Sequence, residues 1–213
     1  MSSTYDKIYK QLEAIALDPK YHAPLSVLKA GRNGFVYGAK IRFPHALVMS
    51  VLFGRGSWSD RLNFIYTATR THAMTLTKFC SLYKLLLILI KKAHGGPKER
   101  SLDSALAGLV GAWVVFRHRT SINEQIILYA AGRDILSLLP RAEVPANKYP
   151  PGKPKPVHPV AFEIFATLAW AFAMWTHANR REELNGGMVS SMDYLYHNAD
   201  KWDSLRNLFW HNT

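Results

Sequence analysis

Apolar residues gather into five runs along the chain, each interrupted by few charges and separated from the next by short polar or proline-rich stretches. Residues 34–53 hold Lys40 and Arg42 in their early half, then run uncharged from Phe43. Residues 73–90 end in LLLILI and contain Lys78 and Lys84, and 104–116 read SALAGLVGAWVVF without a charge. Residues 122–139 carry Glu124, Arg133 and Asp134, whereas 157–178 carry Glu163 alone among the formal charges. None reaches 18 uninterrupted uncharged residues, the strict mark of a spanning helix.

A hydrocarbon core about 30 Å thick takes roughly 20 helical residues, so the fifth run spans unaided and the others need neighbours. A charge inside the core costs about 2.5 to 3.5 kcal/mol, so the cationic residues within the runs must snorkel, pair or face a wet interior. The expectation is an all-α fold, a polytopic membrane helical bundle with four or five transmembrane segments. The same periodicity also suits buried helices of a soluble all-α protein, and periodicity alone does not separate the two readings.

The connections read as turns. Residues 91–101, KKAHGGPKERS, form a basic stretch with a Gly-Gly-Pro breaker, and 140–156, PRAEVPANKYPPGKPKP, form a basic proline-rich linker that cannot stay helical for long. No other composition break divides the 213 residues, so residues 1–213 are read as a single membrane domain.

Composition sharpens the picture only through its distribution. The hydrophobic fraction of 48% and mean hydropathy of −0.09 are ordinary for a globular chain. A formal charge of +12 would first suggest nucleic acid as partner in a soluble protein. No RNA-binding signature, zinc-finger spacing or basic heptad region accompanies it, so no nucleic-acid partner is expected and the excess is assigned to loops facing an anionic leaflet. If all five runs cross, one side collects 13 Lys and Arg against 9 on the other, and the positive-inside rule places the N-terminus in the cytosol.

Cys80 is the single cysteine, so no intrachain disulfide or cysteine metal cluster is expected and a reducing compartment is the default. The first twenty residues lack the apolar core of a secretory signal, and Trp210 to Thr213 form neither an endoplasmic-reticulum nor a peroxisomal-matrix tripeptide. Delivery to an organelle would use internal signals.

The glycines of the first run carry the clearest geometric signal. At about 100° per residue, Gly31, Gly34 and Gly38 fall within about 60° of one another, and the Gly34–Gly38 spacing lets two membrane helices approach closely. Lys29, Arg32 and Lys40 project to roughly the opposite face, while Arg42 projects along the glycine stripe near Pro44. Two readings of the cations follow: Lys40 and Arg42 snorkel to the interface, or they line a polar groove between helices. Gly108 and Gly111 form a second helix-packing candidate in the third run.

Catalytic chemistry is absent from the pattern. No HExxH, GxSxG, P-loop or GxGxxG occurs, and the nine histidines form no short metal spacing. A non-enzymatic protein without cofactor or metal is expected.

The segment Tyr21, His22, Ala23, followed by VLKAGRNGFVYGAKIRFPHALVM over 27–49, closely resembles the peroxisomal membrane protein 4 family, a relative of the mitochondrial inner-membrane translocase (Tim) superfamily. Ser121-Ile122-Asn123 with Gln125-Ile126, and Ser190-Ser191-Met192 with Tyr194-Leu195-Tyr196 and Trp202, extend the resemblance over most of the chain. The region 141–155 is richer in proline than the family leads one to expect. The resemblance implies a multi-pass protein of the peroxisome membrane, delivered by the peroxisomal membrane-protein import receptor. Its partners would be the lipid bilayer and either further copies or other membrane proteins. Superfamily relatives build translocation machinery from helices packed at glycines around a polar lateral groove. By that analogy the chain forms or supports a solute or protein translocation path; the alternative is a structural or partner-tethering role in peroxisome organisation.

Overall fold

The computed structural model describes residues 2–54, 56–96, 98, 100–145, 148–150, 152–200 and 202–209. Parts of the two basic connections and all of Trp210 to Thr213 therefore lie outside the described residues. The elements are α1 (Ser2–Leu17), α2 (His22–Phe53), α3 (Trp58–Ala93), α4 (Ser101–Phe116), α5 (Ser121–Ser137), α6 (Pro159–Asn179), α7 (Gly186–Met192) and α8 (Leu205–Phe209), with short tight turns between them. Among the described residues there is no strand, only an isolated bridge between Arg141 and Val157, so the all-α expectation holds. Two compact units are distinguished, residues 1–131 and 132–213, and each is described by itself.

In the first unit the helices outrun the apolar runs. The second run, 73–90, is the late half of the 36-residue α3, and the first run is the late part of the 32-residue α2. Local signals set these ends. Ser57 and Asp60 cap α3 reciprocally, the Asp60 amide donating to Ser57 Oγ at 3.3 Å and the Ser57 amide to Asp60 Oδ2 at 3.0 Å. Lys91 and Lys92 lie in its last turn, where the helix dipole favours cations. Gly95 then turns the chain at φ +68°, a conformation costly for any residue with a Cβ.

Pro24 fits the first turn of α2, where its missing amide costs nothing. Pro44 lies in the interior and does not end the helix, although it withholds the amide that would bond the Lys40 carbonyl. α2 and α3 form the most extensive helix pair in the chain, and α4 packs on α3. α1 exposes Tyr5, Ile8, Tyr9, Leu12 and Ile15 along one stripe, the spacing of an amphipathic surface helix.

The turn between α3 and α4 is held by Asp103, which is 4% exposed. Its Oδ2 accepts the Arg100 amide at 2.9 Å and lies 2.9 Å from His94 Nε2. The turn between α4 and α5 is held by Asn123. Its Nδ2 donates to the Val115 carbonyl at 3.3 Å and the His118 carbonyl at 2.9 Å, and its amide donates to Thr120 Oγ1 at 3.1 Å. One side chain thus satisfies carbonyls left over at the end of α4 and sets the start of α5.

In the second unit the proline-rich linker is not an open strand. The Ala142 amide donates to the Pro156 carbonyl at 2.9 Å and the His158 amide to the Pro140 carbonyl at 2.8 Å. These bonds draw its two ends together before α6 begins at Pro159. Arg141 Nη2 also donates to the carbonyls of Leu136 and Ser137 at the end of α5.

No residue of α6 is buried. Phe162, Leu168, Trp170, Phe172 and Trp175 are half to two-thirds exposed, unlike the core helix of a soluble protein. α3 and α6 are each long and apolar enough to cross a membrane, with α4 a shorter apolar helix. Among the described residues that is two helices by length and composition, against the four or five expected from the runs. α2 is less apolar because Lys40 and Arg42 interrupt its late part, and α5, at 17 residues, is too short as well as charged at Glu124, Arg133 and Asp134. Beyond α6, Asp193 draws together His177, whose Nε2 lies 3.3 Å from Oδ1, and Arg181, whose Nη2 donates to Oδ2.

Candidate functional site

The packed face of α2 is a line of small residues. Gly31, Gly34, Gly38, Ala46 and Ser50 are buried along it, and α3 runs against that line in the opposite direction. A Cβ built at Gly34 would stand 2.7 Å from the Leu76 carbonyl oxygen and 3.1 Å from Cys80 Sγ. At Gly38 it would stand 2.8 Å from Ala73 Cα. Both obstacles are backbone, so only glycine permits this approach. At Gly31 the obstacle is the hydroxyl of Ser81, a side-chain end free to rotate.

Gly111 on α4 faces the Phe79 ring at 3.3 Å, whereas Gly108 has nothing within 4 Å of an added Cβ. Phe116 closes on the same Phe79 ring, centroids 5.2 Å apart. α3 is therefore packed through small residues by both α2 and α4.

Arg42 occupies the position on the small-residue line between Gly38 and Ala46. A cavity lies beside it. Its volume is about 520 Å³, and Tyr37, Ile41, Arg42, His45, His72, Leu76, Gln125, Ile126 and Tyr129 line it. Arg42 Nη1 donates to Gln125 Oε1 at 2.7 Å and lies 3.4 Å from His45 Nδ1. Arg42 Nε and His72 Nδ1 are buried without a hydrogen-bond partner, and His72 is only 8% exposed. Lys40 does not line the cavity; it is exposed on the opposite face of α2 with Lys29 and Arg32.

Three elements position these groups: α2 supplies Arg42 and His45, α3 His72, and α5 Gln125. Their convergence depends on the Asn123 turn, which aims the first turns of α5 back at α2. Gln125 and His72 were not singled out by sequence reasoning as site residues. Gln125 lies in the motif Ser121-Ile122-Asn123-Glu124-Gln125-Ile126, whose neighbouring polar residues within an apolar run were the available signal. His72 carried none, because it precedes the apolar run of α3 and reads as a flanking polar residue.

The arrangement can hold a cation beside polar neutral partners in a pocket with apolar walls. Among the described residues no group of three His, Cys, Asp or Glu side chains could hold a metal, and no serine, threonine, cysteine or lysine lines the cavity.

Comparison with known proteins bears on the same residues. The Tim17/Tim22/Tim23/Pmp24 family matches residues 21–132, the span that contains α2 to α4 and the cavity-lining turns of α5. Peroxisomal membrane protein 4 of Bos taurus is 37% identical over 201 residues, covering 94% of this chain and 91% of that protein. Peroxisomal membrane protein 4 of Homo sapiens is 35% identical over the same coverage. No solved structure matches the chain.

Proposed function

This chain belongs to the Tim17/Tim22/Tim23/Pmp24 family, and from that premise we propose that it is a non-enzymatic, multi-pass protein of the peroxisome membrane that forms or supports a translocation path. Its relatives over nearly the whole length are peroxisomal membrane proteins. The chain crosses the bilayer four or five times as one membrane domain, with α3 and α6 the two helices able to cross by length and composition. The lipid bilayer covers the exposed apolar side chains of α6, and the peroxisomal membrane-protein import receptor delivers the chain.

One observation carries the transport reading: Arg42 is held in a cavity among three helices of the unit that the family matches. A charge at such a place is costly and functional by default. Carbonate extraction tests the membrane assignment, with retention in the pellet expected. Liposomes loaded with carboxyfluorescein test the path. Efflux through the reconstituted protein should fall when Arg42, which lines the cavity, is changed to Gln, and an unchanged efflux refutes it.

A second reading, a structural or tethering protein, is favoured by α6, in which Phe162, Leu168, Trp170, Phe172 and Trp175 are half to two-thirds exposed. Cross-linking in intact peroxisomes should then recover further copies or other membrane proteins through α6. Recovery of the protein alone counts against it.

A further inference from the structure

We propose that the cavity around Arg42 is a binding site for an anionic head group carried on an apolar chain, of which a long-chain carboxylate is the simplest case. This rests on the membrane reading above and adds to it the class of ligand. The polar groups converge on one side of the cavity: Arg42, His45, His72 and Gln125. The remaining wall is Tyr37, Ile41, Leu76, Ile126 and Tyr129, apolar or aromatic over most of its surface.

Charge is unbalanced within the site. Among the described residues no carboxylate lines the cavity, and the hydrogen-bond partners found for the Arg42 guanidinium, Gln125 and His45, bring no negative charge. A cation in apolar surroundings without a counter-ion is the arrangement that an anion relieves, and guanidinium matches the geometry of carboxylate and phosphate oxygens. A second observation points the same way. His72 is more than nine-tenths buried, lines the same cavity, and leaves Nδ1 without a partner. In the tautomer with its proton on Nδ1 it offers a second donor to the same head group.

A fully hydrated anion would strand the apolar wall against water, whereas an amphiphile satisfies both halves. A free fatty acid and an anionic bilayer phospholipid share this chemistry.

The test uses the full-length protein in phosphatidylcholine nanodiscs and a palmitate carrying a photoactivatable diazirine on its chain. Labelling should fall on peptides containing Tyr37 to His45, His72 to Leu76 or Gln125 to Tyr129. Unlabelled palmitate should compete at least tenfold better than methyl palmitate, which lacks the charge. Arg42→Gln should weaken labelling about tenfold, and Lys40→Gln, on the opposite face, should leave it unchanged. If Arg42→Gln does not fold, the comparison of acid with ester on the unaltered protein decides alone. Adding phosphatidic acid to the nanodiscs separates the sources: loss of palmitate labelling assigns the site to a bilayer lipid, and undiminished labelling to a free carboxylate. Equal competition by the ester, or labelling confined to other helices, overturns the site. When the protein stays in the carbonate pellet, that result rejects the ligand and leaves the membrane assignment standing. Release by carbonate would reject both.

Discussion

Arg42 on α2 and Gln125 on α5 stand 83 positions apart in the chain and meet through a 2.7 Å hydrogen bond from Nη1 to Oε1. That bond closes the cavity between the small-residue face of α2 and the start of α5, and it gives the guanidinium one of its two hydrogen-bond partners.

Gln125→Leu should therefore loosen α5 without unfolding the α2–α3 pair. A hydrogen bond to a charged group contributes about 1.5 to 3 kcal/mol. In a double-mutant cycle with Arg42→Gln, followed by SDS-induced unfolding in detergent, the two changes should couple by at least about 0.5 kcal/mol. Strict additivity would show that the contact carries no energy.

The glycines should not respond alike. Gly34→Ala and Gly38→Ala each press a methyl group against the α3 backbone, and overpacking costs about 1 to 3 kcal/mol. Gly31→Ala meets only the Ser81 hydroxyl, so rotation of that group and the better helix propensity of alanine, about 1 kcal/mol, should leave it near neutral or slightly stabilising. Replacing both Gly34 and Gly38 by Leu should lower abundance and mislocalise the protein. Gly108→Ala, in open space, is the control. Thermal stability measured in detergent ranks the four alanine variants.

Asn123→Leu removes the donor shared by the Val115 and His118 carbonyls. Both bonds are only part-buried, so each loss should cost about 0.5 to 1.5 kcal/mol. Trypsin should then cut faster after Arg117 and Arg119 while cleavage elsewhere stays as before. An unaltered digestion pattern would dismiss the capping role.

The second unit should lose stability in acid through Asp193. Burial pushes this carboxyl up, but hydrogen bonds from His177 and Arg181, with their charges, outweigh it and hold the group below its ordinary value of 3.8. The folded pKa being depressed, its contribution is complete above 3.8 and is lost as pH falls from there through the lowered value. Asp193→Asn should abolish that dependence. Limited proteolysis between Arg181 and Asp193 across pH 5 to 2, using an acid-active protease on the unaltered chain and the variant, reads the difference; parallel curves would exclude Asp193 as its source.

Much of this was legible in the residues themselves. Helix termini followed from adjacent groups: Ser57 and Asp60 at the start of α3, Gly95 after its end, and Pro159 at the start of α6. The 3.6-residue period alone sorted Gly31, Gly34, Gly38 and Arg42 onto one face of α2 and Lys29, Arg32 and Lys40 onto the other, because a helix fixes the angle between its own residues. The family resemblance also rests on side chains in order along the chain.

What lies opposite a face is a different matter, since no local rule states the register between two helices. Tertiary packing set Gly38 against Ala73 and so brought His72 level with Arg42. It divided the Lys40–Arg42 pair between an exposed face and a cavity, and it used the Asn123 turn to carry Gln125 back across more than eighty residues. The sequence by itself determined an all-α chain with apolar helices and the face from which Arg42 projects, because hydropathy and helical angle are properties of one segment. Only the tertiary structure decided that Arg42 meets Gln125 and His72 in an apolar-walled cavity, because that depends on how closely glycines allow separate backbones to approach.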